Sequence, residues 1–508
     1  MSQADYDAVV IGAGISGLVA ANWLARGGAR VLLCERHRVP GGYCSGFVRK
    51  GYRFDACVHF INGCGPGGVT RRILDEIGVG DRVAFERPDP MTTLMFPDLT
   101  VEIPQDLGEF RRYLKDRYPA EAAAVDRFFG LMVSIYEEAN ERFFEEGRAL
   151  AGRSPGPSQL YRHRSLTFGQ LLDEYFQSPH LKQVLGGQLC YSGLPGSQVS
   201  AVWLAIQLVT HHLSGSFYPR GGMQAFADEL AASVVRNGGR VSFRAEVARI
   251  LTEGGRVSAV RLAGGETVST RAVVATGNVR DTFCRLVGEE VAGGRLLRRI
   301  SRLVPSISAF CVYLGVRLDL ERLGINGSNY LVHDNPDYES QARQLAAGEL
   351  APDGSLFVSA PTVKDPSLSP GPGRHCVSVI TLAPYHVAGG WPAQKQRFAA
   401  DLCRRAERVI PGLTQAIEVS DAATPLTLER YTGNWDGACY GLATTPDQVF
   451  ITRPLNRTSI PGLFLAGHYT FPGLGIQAVA QSGVITGRLA LEYLEGSRLA
   501  AGGAAHAG

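Results

Sequence analysis

"AVVIGAGISGLVAANWLARGGARVLLCE", Ala8 to Glu35, carries the decision about the fold. Ala8-Val9-Val10-Ile11 is a short apolar run of the kind that forms a strand buried on both faces, and Gly12-Ala13-Gly14-Ile15-Ser16-Gly17 follows at once. Ile15, Leu18, Ala21 and Leu24 then recur at three-residue steps, which predicts a helix that Gly27-Gly28 ends before a second apolar strand, Val31 to Cys34. In such a unit each glycine has a physical task. Gly12 permits the tight turn, Gly14 lets the backbone approach a pyrophosphate, and Gly17 lets the helix pack closely on the strand. The helix N-terminus would meet the phosphates with unpaired N–H groups and a partial positive charge. Glu35 ends the second strand eighteen residues after Gly17, where its carboxylate can accept hydrogen bonds from ribose hydroxyls and would repel a 2′-phosphate. A glycine-rich turn that merely joined a strand to a helix would need neither the second strand nor its terminal acid, so the reading is a dinucleotide on an α/β, Rossmann-type domain.

Beyond Glu35 come Arg36-His37-Arg38-Val39-Pro40-Gly41-Gly42, whose glycine pair would let a second loop pass close to the same pyrophosphate. A nicotinamide enzyme does not need that loop. The chain has 508 residues, 45% of them hydrophobic, which is enough for two domains with large cores. Its 51 basic and 48 acidic residues leave +3, so no nucleic-acid partner is expected. Ten cysteines without a C-x-x-C pair read as mostly buried free thiols, and His211-His212 has no spaced partner, so no metal site is expected. The N-terminus enters a strand directly and shows no secretory signal, and no window holds the apolar run of about 18 to 20 residues that a membrane span needs. A cytoplasmic location is therefore expected, peripheral membrane association being compatible with it.

Residues 85 to 105 read as short strands with a hairpin at Pro97-Asp98, and residues 106 to 150 as an amphipathic helix pair broken at Pro119. Gly152 to Ser158 is a loop, and further helices run to about His212, among them the short apolar "AVWLAIQLV", Ala201 to Val209, read as a core helix or a tunnel wall. Met223 to Val235 predicts a helix, and Val241 to Leu251, Val257 to Leu262 and Thr267 to Thr276 predict strands. Residues 300 to 455 hold alternations consistent with a second sheet, interrupted by a helix around Ala393 to Val409. "GLFLAGHYTFPGLGIQAVAQSGVITGRLALEYLEG" then returns to strand, glycine turn and helix near the C-terminus.

Together "VVIGAGISGL", "ERHRVPGG", "YRFDACVHFI", "YPRGGMQAFADEL" and the terminal "GLFLAGHYTFPGLGIQAVAQSG" resemble the flavin-dependent amine oxidase and phytoene desaturase superfamily over nearly the whole chain. Within it the chain is similar to the carotenoid isomerase and retinol saturase branch: "FPGLGIQAVAQSG" has the isomerase form, "DGACYG" and "FDACVHF" the saturase form. The resemblance implies a glutathione reductase-like FAD-binding domain of residues 1–84, 218–295 and 456–496. A substrate domain of mixed sheet and helices would comprise 85–217 and 296–455, with an unstructured tail at 497–508. It implies FAD held without a covalent link. Gly12, Ala13, Gly14, Ser16 and Gly17 would hold the pyrophosphate, Glu35 the ribose with Arg36 beside it, Gly41 and Gly42 the flavin side, and Val247 the adenine through its backbone. Gly467, His468, Gly475, Ile476 and Ala478 would close over the ribityl chain and ring. A helix starting near Ile476 would also favour the reduced flavin anion through its dipole. His468 departs from the acid that many flavoproteins place after "LAG" to bond the ribityl chain.

The function expected is FAD-dependent desaturation, saturation or isomerisation of carbon–carbon double bonds in a long, apolar, polyene or isoprenoid-like substrate, with oxygen or a quinone as electron acceptor and no separate NAD(P)H site. Flavin carries the redox chemistry and the protein supplies a dry tunnel. His59 is the first candidate for proton transfer and Tyr440 the second, and a proton managed by His59 favours net redox change over isomerisation. Two alternatives stay open. A flavin amine oxidase would surround its substrate with an aromatic cage, for which Tyr469 and Phe471 are the candidates, and a non-enzymatic prenyl or lipid escort would need no intact glycine set.

Overall fold

The computed structural model describes residues 4–145 and 158–505 of the chain. The strand Tyr6–Ile11, the helix Ile15–Arg26 and the strand Val31–Glu35 form as the glycine pattern predicts. Tyr6–Ile11 lies between Val31–Glu35 and Thr267–Ala275, parallel to both, with Arg240–Phe243 outside Val31–Glu35 and Leu463–Leu465 parallel to the end of Thr267–Ala275. An antiparallel hairpin, Val247–Glu253 and Arg256–Leu262, attaches to the first half of Thr267–Ala275. The expected single strand over Val241 to Leu251 is two. Arg244 turns the chain with φ 55°, so that Arg240–Phe243 joins the parallel sheet and Val247–Glu253 the hairpin.

The second sheet runs in the order Ile417–Ala423, Ser308–Arg317, Arg374–Ala383, Leu356–Ser359, Asn329–Val332, Thr92–Met95, Thr100–Ile103, the last two joined through the expected turn at Pro97-Asp98. The helix Trp391–Ala406 covers one face, where Trp391 and Phe398 pack on Phe310 with ring centroids 5.3 and 5.0 Å away. A helical layer, including Leu107–Arg117, Ala122–Glu145, Phe168–Tyr175 and Ala201–Leu213, buries a separate core around Phe128, Phe168 and Leu204. The two-helix reading of 106 to 150 is met as far as Glu145, and residues 146 to 157, with nearly all of the loop expected at Gly152 to Ser158, lie outside the described residues.

The C-terminal helix, Ile476–Ala505, extends over most of the stretch expected as an unstructured tail. It lies along the first helix, with glycines on each side taking up the side chains of the other. A Cβ on Gly483 would stand 2.6 Å from the Ser16 carbonyl oxygen, one on Gly487 2.9 Å from Trp23 Cβ, and one on Gly27 2.5 Å from Leu491 Cδ1. Glycine spacing of four thus sets the contact, because i and i+4 share a helix face.

Gly17 and Gly14 separate cleanly into a packing glycine and an approach glycine. A Cβ on Gly17 would meet the Gly12 carbonyl oxygen at 2.0 Å, whereas Gly14, with φ −67°, has nothing within 4 Å of where its Cβ would be. Gly17→Ala should therefore destabilise the apoprotein by about 1–3 kcal/mol in urea unfolding, and Gly14→Ala should change it by less than about 1 kcal/mol. Equal losses would show that both glycines serve packing.

Candidate active site

A cavity of about 450 Å³ opens beyond the carboxyl ends of the parallel strands Tyr6–Ile11 and Thr267–Ala275, where such sheets bind ligands. Gly12, Gly14, Ser16, Glu35, Arg36, Gly41, Gly42, Val247, Gly467, His468, Gly475, Ile476 and Ala478 all line it, and so do His59 and Tyr440. Ala13 and Gly17 stand behind the surface. The Ala13 N–H donates to Glu35 Oε2 at 2.7 Å while His37 N–H donates to Oε1 at 2.7 Å, so two backbone donors aim the carboxylate and each oxygen retains a lone pair for a ligand. The loop after Glu35 returns as expected: Gly41 N–H donates to the Ala13 carbonyl at 2.8 Å and Gly14 pairs with Gly41.

These residues fit a dinucleotide. Two helices, beginning at Ile15 and Ile476, start at the cavity wall, and the first-turn N–H groups of a helix have no intrahelical acceptor. The protein leaves open space over Gly14 and Gly475, where side chains would fill the approach to those helix ends. The second glycine-rich stretch, Gly473 to Ile476, belongs to this same cavity and not to a second nucleotide site.

The far lobe of the cavity lies between the helix Ala201–Leu213 and the second sheet. His59, Phe60, His211, Tyr191 and Phe357 form a closed ring of aromatic contacts there, with successive centroids 5.5, 5.2, 5.7, 5.0 and 4.3 Å apart. His59 Nδ1 donates to the Cys57 carbonyl at 3.0 Å, and burial with the nearby Lys364 charge pushes the imidazole down to about 3, so it is neutral in ordinary buffers. With Nδ1 committed to that carbonyl, the neutral ring offers Nε2 as an acceptor. Tyr440 donates its hydroxyl to the Cys190 carbonyl at 2.9 Å and is raised by burial, an anchoring arrangement. Neither Tyr469 nor Phe471 lines the cavity. Tyr469 instead accepts from Trp435 N–H at 3.0 Å.

Three features escaped the sequence reading. Lys364 is buried and donates to Asn329 Oδ1 at 2.6 Å, Ser359 Oγ at 3.1 Å and the His59 carbonyl at 3.1 Å, tying the His59 segment to the second sheet. Burial pulls it down to about 7 against the opposing pull of Asp55. Arg453, fully buried and brought to about 9 by burial, donates to the carbonyls of His468 and Leu442 and so joins the "GACYG" turn to the "AGHY" loop. His468 in turn has its Nε2 3.2 Å from Asn434 Oδ1. The Cys57 thiol interacts with the thiols of both Cys311 and Cys439, Cys57 and Cys439 lining the cavity wall.

His59, His211 and His468 are each pushed to about 3, burial first among the causes. Unfolded histidines titrate near 6.5, so between about pH 6.5 and 3 the unfolded chain binds the extra protons. The stability that rests on these neutral rings is complete above pH 6.5 and lost on acidification. Urea midpoints should fall between pH 7 and pH 5, and replacing all three by Gln should remove about three protons from the uptake on unfolding near pH 4.5. An unchanged uptake would show that the rings are protonated in the fold.

Comparison with known proteins identifies the family. Prolycopene isomerase of Arabidopsis thaliana chloroplasts is 29% identical over 498 residues, covering 94% of this chain and 82% of the relative. The all-trans-retinol 13,14-reductase of Macaca fascicularis is 27% identical over 506 residues, covering 92% and 82%. The crystal structure of an oxidoreductase from Methanosarcina mazei superimposes with a TM-score of 0.65 at 17% identity, covering 94% of this chain and 98% of that one, and shows the same fold. The family model described as flavin containing amine oxidoreductase matches residues 15–283, more than half of the 508-residue chain, from the start of the first helix onward. With that match over more than half of its length, the chain belongs to the flavin containing amine oxidoreductase family and is a flavoprotein that uses FAD.

Proposed function

We propose that this flavoenzyme acts on carbon–carbon double bonds of a long, uncharged polyene, by hydrogen removal, hydrogen addition or double-bond rearrangement. The observation that carries the reading is the chemistry of the far lobe. Its walls are aromatic and aliphatic, with Phe60, Trp203, Ile206, Phe357 and Leu474 prominent. The ionised lining residues Glu35, Arg36, Glu246, Asp281 and Arg285 stand instead beside the nucleotide cradle, on or next to Cys34, Val247 and Asn278. A cationic or carboxylate-bearing substrate would find no counter-charge among the lobe's described residues, and burying an unpaired charge is prohibitive. The relatives named for prolycopene isomerisation and for reduction of all-trans-retinol act on molecules of this class.

FAD bound in the cradle supplies two-electron redox chemistry. The chain's own residues bind, orient and keep dry. Gly12, Ala13, Gly14, Ser16 and Gly17 would hold the pyrophosphate, Glu35 and Arg36 the ribose end, Val247 the adenine, and Gly41, Gly42, Gly467, His468, Gly475, Ile476 and Ala478 the flavin side. His59 would present its Nε2 lone pair to the substrate as an acceptor, and Tyr440, through its bond to Cys190, would hold the wall in shape. The amine oxidase alternative loses its proposed cage with Tyr469 and Phe471 turned away, and the lipid escort alternative leaves the open approach over Gly14 without purpose. The apolar run "AVWLAIQLV" contributes Trp203, Ile206 and Gln207 to the cavity lining. No helix among the described residues is long and apolar enough to cross a membrane, so a substrate from a bilayer would be drawn in through a peripheral contact.

Three outcomes test this. Gly14→Val should lose FAD on gel filtration, because the side chain fills the phosphate approach, while holding its urea midpoint within about 1 kcal/mol of the apoprotein. Anaerobic incubation with all-trans and cis polyenes should yield either a product two mass units lighter or heavier, with the flavin reduced or oxidised to match, or a product of unchanged mass. Turnover of small amines without any polyene turnover would overturn the substrate class. NADH and NADPH alone should not reduce the flavin rapidly, since the one described cradle is already taken.

A further inference from the structure

The helix Ala201–Leu213 turns one stripe toward the cavity, Trp203, Ile206, Gln207, Thr210 and His211, at the three- and four-residue steps of a single helix face. The Thr210 hydroxyl is satisfied within the helix, donating to the Ile206 carbonyl at 2.6 Å. Gln207 and His211 are not. His211 is 1% exposed, its ring set between Phe60 and Tyr191, and neither ring nitrogen has a hydrogen-bond partner. One turn earlier, Gln207 Oε1 is buried without a partner as well. Buried polar groups in folded proteins are nearly always hydrogen-bonded, and two adjacent exceptions on the wall of a cavity ask for a ligand that completes them.

The chemistry of the pair selects the group. A neutral imidazole has one N–H donor and one acceptor nitrogen, and Gln207 offers an acceptor oxygen. A hydroxyl matches both at once, accepting from the His211 N–H through its oxygen and donating its own hydrogen to Gln207 Oε1. A carboxylate would place negative charge against that acceptor oxygen, and an ammonium would lack the counter-charge that the lobe does not contain. A plain hydrocarbon would seal both polar groups into an apolar site with their bonds unmade.

We propose that the substrate carries an uncharged hydroxyl group, that His211 and Gln207 hold it, and that this anchor sets which stretch of the polyene lies against the flavin. The inference rests on the polyene reading above and adds the polar group to it.

The test uses purified holoenzyme with oxidised flavin under anaerobic conditions, and two matched pairs of probes: all-trans-retinol with its deoxy hydrocarbon, and 1-hydroxylycopene with lycopene. Dissociation constants come from the perturbation of the flavin absorption band. The alcohol of at least one pair should bind about tenfold or more tighter than its hydrocarbon, because a site built to bond a hydroxyl discriminates against the analogue lacking it. His211→Phe and Gln207→Leu should each bring that ratio toward one, mainly by weakening the alcohol, with flavin content unchanged. Equal affinities within both pairs overturn the proposal, as does a preference that survives both substitutions. The wild-type ratio and the Gln207→Leu result decide the matter if His211→Phe does not retain flavin. If no member of either pair binds, the polyene reading itself falls and the anchor with it.

Discussion

The bare contact between the first helix and the C-terminal helix is the constraint on which the rest of this protein depends. Gly27, Gly483 and Gly487 remove the side chains that would hold the two apart, and the helices lie close enough to begin at one cavity. Each brings a partial positive end and unpaired N–H groups. On the proposed reading one would face the pyrophosphate and the other the flavin ring, so the packing of two distant segments would also set the electrostatics of the cofactor site. A methyl group at any of the three glycines would press on the facing helix, and at Gly483 it would do so at Ser16, in the first turn of the first helix.

Around that contact the protein spends its polar bonds on fixing loops. Gly41 returns to Ala13, Glu35 is held by the N–H groups of Ala13 and His37, and Arg36 reaches over to the Arg430 carbonyl at 3.1 Å. Arg453 joins two further loops, and Lys364 ties the backbone at His59 to the second sheet. The polar contacts sit at the cofactor's periphery and behind the walls. What faces the substrate is mostly ring and alkyl surface, with neutral histidines in place of charges. A dry lobe of this kind excludes water from reactive intermediates and leaves shape to do the orienting.

What could be read from sequence was what local backbone chemistry dictates. Gly12, Gly14, Gly17 and Glu35 form a pattern because turn, approach, packing and ribose contact must occur in that order along the chain, and the start of a helix at Ile476 follows from the glycines before it. The break at Arg244 was missed because Val241 to Leu251 is continuous in character, and only its partners, one parallel strand and one hairpin, divide it. Lys364, Arg453, His211 and the thiols of Cys57, Cys311 and Cys439 carry no local signature. Their surroundings are assembled from segments hundreds of residues apart, and a lysine whose charge is weakened by burial is spelled like any surface lysine. His59 shows the same limit, since its sequence neighbourhood suggests a proton carrier and its burial makes it a neutral ring.

The order in which the parallel sheet is assembled has a consequence for how the protein is made. Its strands come from residues 6–35, 240–275 and 463–465, and the helix that closes the cavity starts at residue 476 of 508. The strand beside the glycine turn, Thr267–Ala275, is made about 250 residues after that turn, and the opposing helix about 200 residues later still. The cradle therefore closes only once all three segments have emerged, and until then the nascent chain exposes unpaired strand edges and apolar surface, which favour aggregation.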